Sequence, residues 1–333
     1  LLKGRQAGYT GFMAVYTELS LEEIRAFLSG YSLPPLEVAE GIRAGVENTN
    51  YLLKVKGGEH YILTLFEKRV AAADLPFFMG LMQQLAERGV PCPMPLRGRD
   101  GSVIRSLKGR PAVIVTFLEG KGTGSIQNAH MSELGTHMAR MHLAAEGYTV
   151  PRQNALSLAG WEALLKKVAP RADAIAPGLA HELEEEMRAL ADTWPMDLPR
   201  GVIHADLFPD NVFYNAQERL TGIIDFYFAC NDFLAYDLAI CLNAWCFEKI
   251  YEFNITKARL MLRAYHEARP LSEAELGSLP VLARGAAFRF LLTRAHDWLF
   301  RVESALVTPH DPLEYLKKLR FHRSVTHHRE YGL

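Results

Sequence analysis

The sequence predicts an α+β chain in two parts, an antiparallel-sheet lobe over residues 13–117 and a mainly helical lobe over residues 118–333. Three observations lead there. Short β-rich runs at 36–38, 50–55 and 60–66 are separated by Gly41, Gly45 and the pair Gly57-Gly58, as in an antiparallel meander. From about residue 125 onward, apolar residues recur at helical spacing. Between the helices, the runs Val212-Phe213-Tyr214 and Ile223-Ile224 flank a turn at 215–218 and read as a hairpin whose polar residues gather at one end.

Composition sets the bounds. With 333 residues, 49% hydrophobic and 23% charged, the chain has the make-up of a globular protein of one large or two smaller domains. Lys and Arg number 37 against 38 Asp and Glu, so no net field draws it to nucleic acid or to an anionic membrane, and a small-molecule partner is expected. Cys92, Cys230, Cys241 and Cys246 lack paired metal spacing and read as buried thiols. No apolar stretch approaches the roughly 20 residues that span a bilayer. The start, Leu1-Leu2-Lys3-Gly4, lacks the apolar core of a secretory signal, which points to a reducing cytoplasm. Residues 1–12 read as an upstream segment, since the first plausible element begins at Met13.

Taken in order, Thr17 or Ser20 caps a helix over 22–28 with acidic residues in its first turn, and Gly30 ends it. The meander follows. Between its first two strands, Gly41 and Gly45 allow the backbone to approach a ligand, and Asn48 and Thr49 offer side-chain donors. This segment can act as a phosphate-covering loop, although glycine and asparagine between strands are also ordinary turn residues. An amphipathic helix over 74–88 carries Phe78, Met82 and Leu85 on one face, with Gly89 beyond its end. Strands are expected around 103–104 and at 111–118, the second running into Glu119-Gly120 like a hinge between lobes. Backbone groups near Thr116 to Leu118 would there pair with adenine. Helices follow over 131–143, 161–168, 181–194, 237–247, 257–266, 273–282 and 283–301.

The hairpin end holds His204, Asp206, Asn211 and Asp225. Taken singly, each Asp or Asn is best read as a turn or cap residue. Jointly they match what phosphoryl transfer needs: a carboxylate to take the acceptor proton, and oxygen ligands to hold magnesium against a triphosphate. Asp206 stands five residues before Asn211, and Asp225 follows fourteen later, inside Ile223-Ile224-Asp225-Phe226. Ala205 lies between the His and the Asp, where protein kinases have Arg.

This segment resembles the catalytic loop and metal-binding Asp of the aminoglycoside phosphotransferase and choline kinase superfamily. The resemblance implies a two-lobed, protein-kinase-like fold, ATP and Mg2+ as cofactors, Asp206 as catalytic base with His204 beside it, and Asn211 and Asp225 as metal ligands. Leu134-Gly135 through Met141-His142 resembles the superfamily's helix before the catalytic loop, where His142 would be a structural contact. An Asp at the position of Asp237 would hydrogen-bond the loop. Four other stretches narrow the resemblance to the homoserine kinase family of the bacterial type: 13–18, 45–51, 61–69 with 74–78, and 290–298. That family phosphorylates the hydroxyl of L-homoserine to O-phospho-L-homoserine, in threonine biosynthesis. The chain departs from the superfamily by placing Thr64 where most members have a strand Lys or Arg for the α and β phosphates. Lys54, Lys68 or Arg69 could supply the charge instead, or all three could be surface bases. Kinases of choline, an aminoglycoside, methylthioribose or another small alcohol use the same machinery, and an inactive nucleotide-binding pseudokinase would also lack the strand base.

An amino-acid acceptor carries a carboxylate, which a planar guanidinium matches best. The last long helix offers Arg284, Arg289 and Arg294, and Arg294 has Asp297 three residues on as a helical partner. Arg289 is therefore the candidate reader of the acceptor carboxylate, against the alternative of an interhelical ion pair.

Overall fold

The computed structural model describes residues 17–42, 48–67, 70–301 and 309–333. The chain divides into two compact units. One comprises residues 1–76, 95–117 and 301–309; the other, 77–94, 118–300 and 310–333. A division at residue 117 differs from these units in that residues 77–94 pack with the second. The upstream segment 1–12, Gly45, Lys68 and Arg69 lie outside the described residues.

In the first unit, α1 (Leu21–Leu28) begins at a capping box. The Ser20 hydroxyl accepts from the Glu23 amide at 3.2 Å, and the Glu23 carboxylate accepts from the Ser20 amide at 2.7 Å. Ile24, Phe27 and Leu28, spaced to share one face, are buried. The strands β1 (Leu36–Gly41), β2 (Thr49–Val55), β3 (His60–Leu65), β4 (Arg105–Leu107) and β5 (Arg110–Thr116) form an antiparallel sheet in the order β1-β2-β3-β5-β4. Along β2, Thr49, Tyr51, Leu53 and Val55 are buried and the residues between them half-buried, the period of two that a strand imposes. Tyr51, Leu53, Leu63, Leu65, Ala112 and Ile114 meet the inner face of α1 in one core. The strand expected at 103–104 lies slightly further on, as β4. Leu107 pairs with Arg110, and the two residues between them, Lys108 (φ 50°) and Gly109 (φ 72°), both take the left-handed turn conformation that matches strand twist and so sets the register.

The second unit is built on α2 (Leu75–Glu87, from Phe77 onward), α3 (Asn128–Ala144), α4 (Leu158–Ala172), α5 (Leu179–Thr193), α6 (Leu234–Trp245), α7 (Ile255–Ala268), α8 (Glu273–Leu299) and α9 (Pro312–Ser324). Short strands bridge them: β6 (Lys121–Gly122), β8 (Val212–Tyr214) and β9 (Leu220–Ile223) form one sheet, and β7 (Arg200–Ile203) with β10 (Cys230–Phe233) another. Where two helices were expected at 273–282 and 283–301, one 27-residue helix runs through Pro280. Its start is held by a Ser272–Glu275 capping box, and Leu279, Pro280, Leu282 and Ala283 are buried, so packing offsets the missing amide. Two glycines permit close approach. A Cβ at Gly135 on α3 would overlap the Met261 carbonyl of α7, and one at Gly285 on α8 would overlap the Trp194 ring. Around Gly285, Trp161 and Trp194 meet edge to face at 5.0 Å, with Tyr236 and Phe288 beside them. All four cysteines are buried free thiols, and among the described residues no helix is long and apolar enough to cross a membrane.

Candidate active site

Strand β7 delivers the chain to His204, Ala205 and Asp206, and its pairing with β10 (Ile203 opposite Cys230) fixes where that delivery occurs. The β8–β9 hairpin supplies the rest. Val212 lies opposite Ile223, and the Ile224 amide donates to the Asn211 carbonyl at 3.0 Å, so register alone brings Asn211 beside the residue preceding Asp225. The Asn211 amide nitrogen donates to the Asp206 carbonyl oxygen at 2.8 Å and lies 3.4 Å from its Oδ2. Asp206 and Asp225 are half-buried, whereas Asn211 is buried. Thus the structure brings together His204, Asp206, Asn211 and Asp225.

His204 is wholly buried, and both its ring nitrogens are engaged within this segment. Nε2 donates to the Ile224 carbonyl at 2.9 Å, and Nδ1 accepts from the Asp206 amide at 3.3 Å. The two bonds together require a neutral ring protonated on Nε2. Burial supplies the same preference, pushing the His204 pKa below its ordinary value despite the opposing charge of Asp237. The ring therefore ties its own loop to the strand end before Asp225, and the catalytic part expected of His204 finds both ring nitrogens already engaged.

Asp237, in the first turn of α6, is fully buried. Its Oδ2 accepts from the His204 amide at 2.7 Å and from His142 Nε2 at 3.0 Å, and its Oδ1 accepts from the Ala205 amide at 2.8 Å. Burial by itself would raise the Asp237 pKa; the bond from His142 and the backbone bond from His204 outweigh it, and the net shift is downward. His142 on α3 is in turn bonded through Nδ1 to the Tyr265 hydroxyl of α7 at 2.8 Å. Further along the loop, the Leu207 carbonyl accepts from the Trp245 indole at 2.8 Å, and Phe208 packs edge-on against Phe290 of α8.

Arg289 on α8 is 1% exposed. Its Nη1 donates to the Ala205 carbonyl at 2.7 Å, so the guanidinium expected to read an acceptor carboxylate instead holds the loop from inside. This is a correction with a plain cause: the side chain points into the core beneath the loop. Arg294 pairs with Glu314 at 2.6 Å rather than with Asp297, and Arg284 pairs with the buried Glu186.

The residues expected to touch nucleotide in the first unit have structural partners. Thr64 is buried and its hydroxyl donates across the strands to Asn50 at 2.7 Å. Thr49, also buried, donates to Glu67 at 2.7 Å and accepts from the Thr17 amide. Asn48 accepts from the Glu67 amide at 3.4 Å. Thr116 ends β5 opposite Tyr61, and Leu118, in the second unit, lies against Gly222. Lys54 pairs with Glu40 at 3.1 Å on exposed surface. Glu67, which sequence reasoning did not single out, proves to be the hub here: it accepts from Thr17 and Thr49 and pairs with Arg110 at 2.8 Å. Its place in Phe66-Glu67 at a strand end was the available signal.

A carboxylate (Asp225) and an amide (Asn211) at one hairpin end are hard oxygen donors, the chemistry that suits Mg2+. The amide nitrogen of Asn211 is engaged by Asp206, which turns its oxygen to the other side. Among the described residues there is no cluster of three or more His, Cys, Asp or Glu that could cage a metal alone. Mg2+ characteristically needs none, since substrate phosphates and water complete its shell.

Comparison with known proteins agrees with this geometry. The phosphotransferase enzyme family matches residues 38–271. The homoserine kinase of Rhodospirillum rubrum is 56% identical over 96% of this chain and 99% of its own length, and that of Bradyrhizobium diazoefficiens 57% identical over 96% and 98%. Among solved structures, an amicoumacin kinase in complex with AMP-PNP and Ca2+ is similar at a TM-score of 0.69 and 16% identity, covering 92% of each chain. A spectinomycin phosphotransferase in complex with ADP and spectinomycin is similar at 0.67 and 15%, covering 95% of this chain and 98% of its own. These likenesses show a kinase-like fold of antiparallel sheet followed by helices.

Proposed function

Since this chain belongs to the phosphotransferase enzyme family and, within it, to the homoserine kinases, we propose that it transfers the γ-phosphoryl group of ATP to the hydroxyl of L-homoserine, with Asp206 as the base. The observation that carries the assignment of roles is the hairpin register. It sets Asn211 against both Asp206 and the strand end leading to Asp225, with Asp206 half-buried beside it.

In this reading the Asp206 carboxylate accepts the homoserine hydroxyl proton as that oxygen bonds to the γ-phosphorus. The bond from phosphorus to the ADP oxygen breaks, leaving ADP and O-phospho-L-homoserine. Asn211 fixes the orientation of Asp206 through its amide nitrogen. Asp237 and His204 hold the loop backbone on either side of Ala205, so the carboxylate needs little reorganisation at the moment of transfer. Asn211 and Asp225 would hold Mg2+, which when bound offsets the charge of the triphosphate oxygens.

The test is turnover with and without the base. The enzyme should release ADP in step with phosphohomoserine, seen by 31P NMR, when supplied with ATP, Mg2+ and L-homoserine. Choline or aminoglycosides should not replace the acceptor. Asp206→Asn should keep the fold and nucleotide binding while losing turnover by roughly 10²- to 10⁴-fold, the usual contribution of a positioned acid–base group. Activity within about threefold of the parent, well below that contribution, would remove Asp206 as base. No ADP release with any alcohol would mark an inactive nucleotide binder.

A further inference from the structure

Ala205 has φ 62°, a left-handed conformation that residues with a Cβ adopt only at a cost and that must therefore be held by its surroundings. It stands between His204 and Asp206, so its backbone dihedrals aim the Asp206 carboxylate. The peptide groups around it are gripped from two directions. From α6, the Asp237 carboxylate takes the amides of His204 and Ala205; from α8, the Arg289 guanidinium gives Nη1 to the Ala205 carbonyl at 2.7 Å. Arg289 itself is unusual. It is buried, and it stacks over the Phe290 ring at 4.5 Å. Burying a cation is costly, and such groups concentrate where function requires them.

We propose that Arg289 is a positioning residue for phosphoryl transfer, which holds Ala205 in its left-handed conformation and thereby orients Asp206. The inference rests on the reading of Asp206 as base. It assigns Arg289 a part in turnover and none in acceptor recognition. The anionic grip on the peptide before Ala205 and the cationic grip on the peptide after it flank its Cα, so neither φ nor ψ of Ala205 can change without breaking a charge-assisted bond.

The experiment is a double-mutant cycle on the full chain, read as kcat and KM for each substrate. Arg289→Met should lower kcat on the order of 10- to 100-fold, the scale of a displacement near 1 Å at a reacting group. Both KM values should stay within about threefold, because no substrate contact is removed. Arg289→Lys, which retains a donor of similar reach, should recover most of kcat. Glycine populates the left-handed region freely, so the same Arg289→Met change should cost distinctly less when made on Ala205→Gly. Should Arg289→Met fail to fold, Arg289→Gln, which is shorter and uncharged and so loses the charge-assisted bond, carries the same test on the two backgrounds: a cost with alanine at 205 that shrinks with glycine supports the inference, and no difference overturns it. A rise in homoserine KM with kcat unchanged would return Arg289 to the acceptor. A lower unfolding midpoint with unchanged kcat would leave it merely structural. An equal or larger loss on Ala205→Gly would show that it does not act through residue 205. Asp206→Asn measured in parallel separates the two readings. Retained activity there overturns base and inference together, whereas loss there beside an unchanged Arg289→Met overturns the inference alone.

Discussion

The polar end of the β8–β9 hairpin and the polar end of the β2–β3 pair look alike as strings of residues. One offers Asp206, Asn211 and Asp225; the other offers Asn48, Thr49, Thr64 and Glu67. Their environments differ. At the hairpin, the groups that are fully buried, Asp237 and His204, grip backbone atoms, and the two aspartates they support stay half-exposed. At the β2–β3 end, Thr17, Thr49, Glu67 and Arg110 bind one another, and Thr64 is held across the strands by Asn50. The contrast teaches that a count of polar residues does not distinguish the two ends. What distinguishes them is whether the buried groups grip the backbone beside half-buried carboxylates or bind one another.

The largest effect that would sharpen this contrast is expected at Asp225. Asp225→Ala removes one of two proposed hard ligands of a cation that takes few from protein, so Mg2+-dependent ATP consumption should fall to background. Asn211→Ala should be milder and partly restored by Mn2+, as read in a coupled ADP assay with each metal. Equal, small losses from both changes would break the metal reading and, with it, half of the contrast.

Next comes Asp237→Ala. It orphans the buried amides of His204 and Ala205, at about 1–3 kcal/mol for each unsatisfied group. Urea unfolding should show a loss of that order together with reduced turnover. A stability unchanged to within about 0.5 kcal/mol, the level of an ordinary surface substitution, would mean that the loop does not depend on its buried support.

Acid sensitivity should separate the two units as well. The buried histidines among the described residues, His130, His142, His204 and His322, all belong to the second unit. Burial, with the nearby Lys318 charge, pushes His322 down to about 3. Between that value and its ordinary one near 6.5, the unfolded chain binds a proton that the folded chain refuses. Stability therefore falls as pH drops through that window, by up to about 1.4 kcal/mol per pH unit for one such group. Trp161, Trp194, Trp245 and Trp298 also lie in the second unit, so tryptophan fluorescence during urea titrations from pH 7 to 5 reports it directly. His322→Phe should flatten the slope by one proton's share; an unaltered slope would contradict the assignment.

The smallest effect is expected in the first unit. Thr64→Val breaks the bond to Asn50 and should cost about 1 kcal/mol of stability with little change in the KM for ATP. A KM rise of about tenfold, the mark of lost substrate binding, would restore Thr64 to a nucleotide site and erase the contrast.

Much of this molecule was legible in the sequence because the signals were local. The capping residue Ser20 and the short β-rich run of β2 act within a few residues, whereas the Lys108-Gly109 turn that sets the register of β4 appeared only in the structure. The clustering of Asn211 and Asp225 was legible for the same reason, since the hairpin register joins them, and His204 and Asp206 precede Asn211 by only seven and five residues. The single helix through Pro280 was not legible, since local propensity favours a break there and burial against neighbouring helices overrides it.

By itself, then, the sequence determined the family, the α+β class and which residues converge at the hairpin, all of which depend on patterns local to short stretches of chain. Only the tertiary structure decided which partners Arg289, His204, Thr64 and Lys54 bind. Arg289 finds its acceptor 84 residues away at Ala205, and Asp237 meets His142 across 95. A side chain's role is set by the partner it is buried against, and for these residues that partner is chosen by how helices and strands pack, a choice no local pattern records.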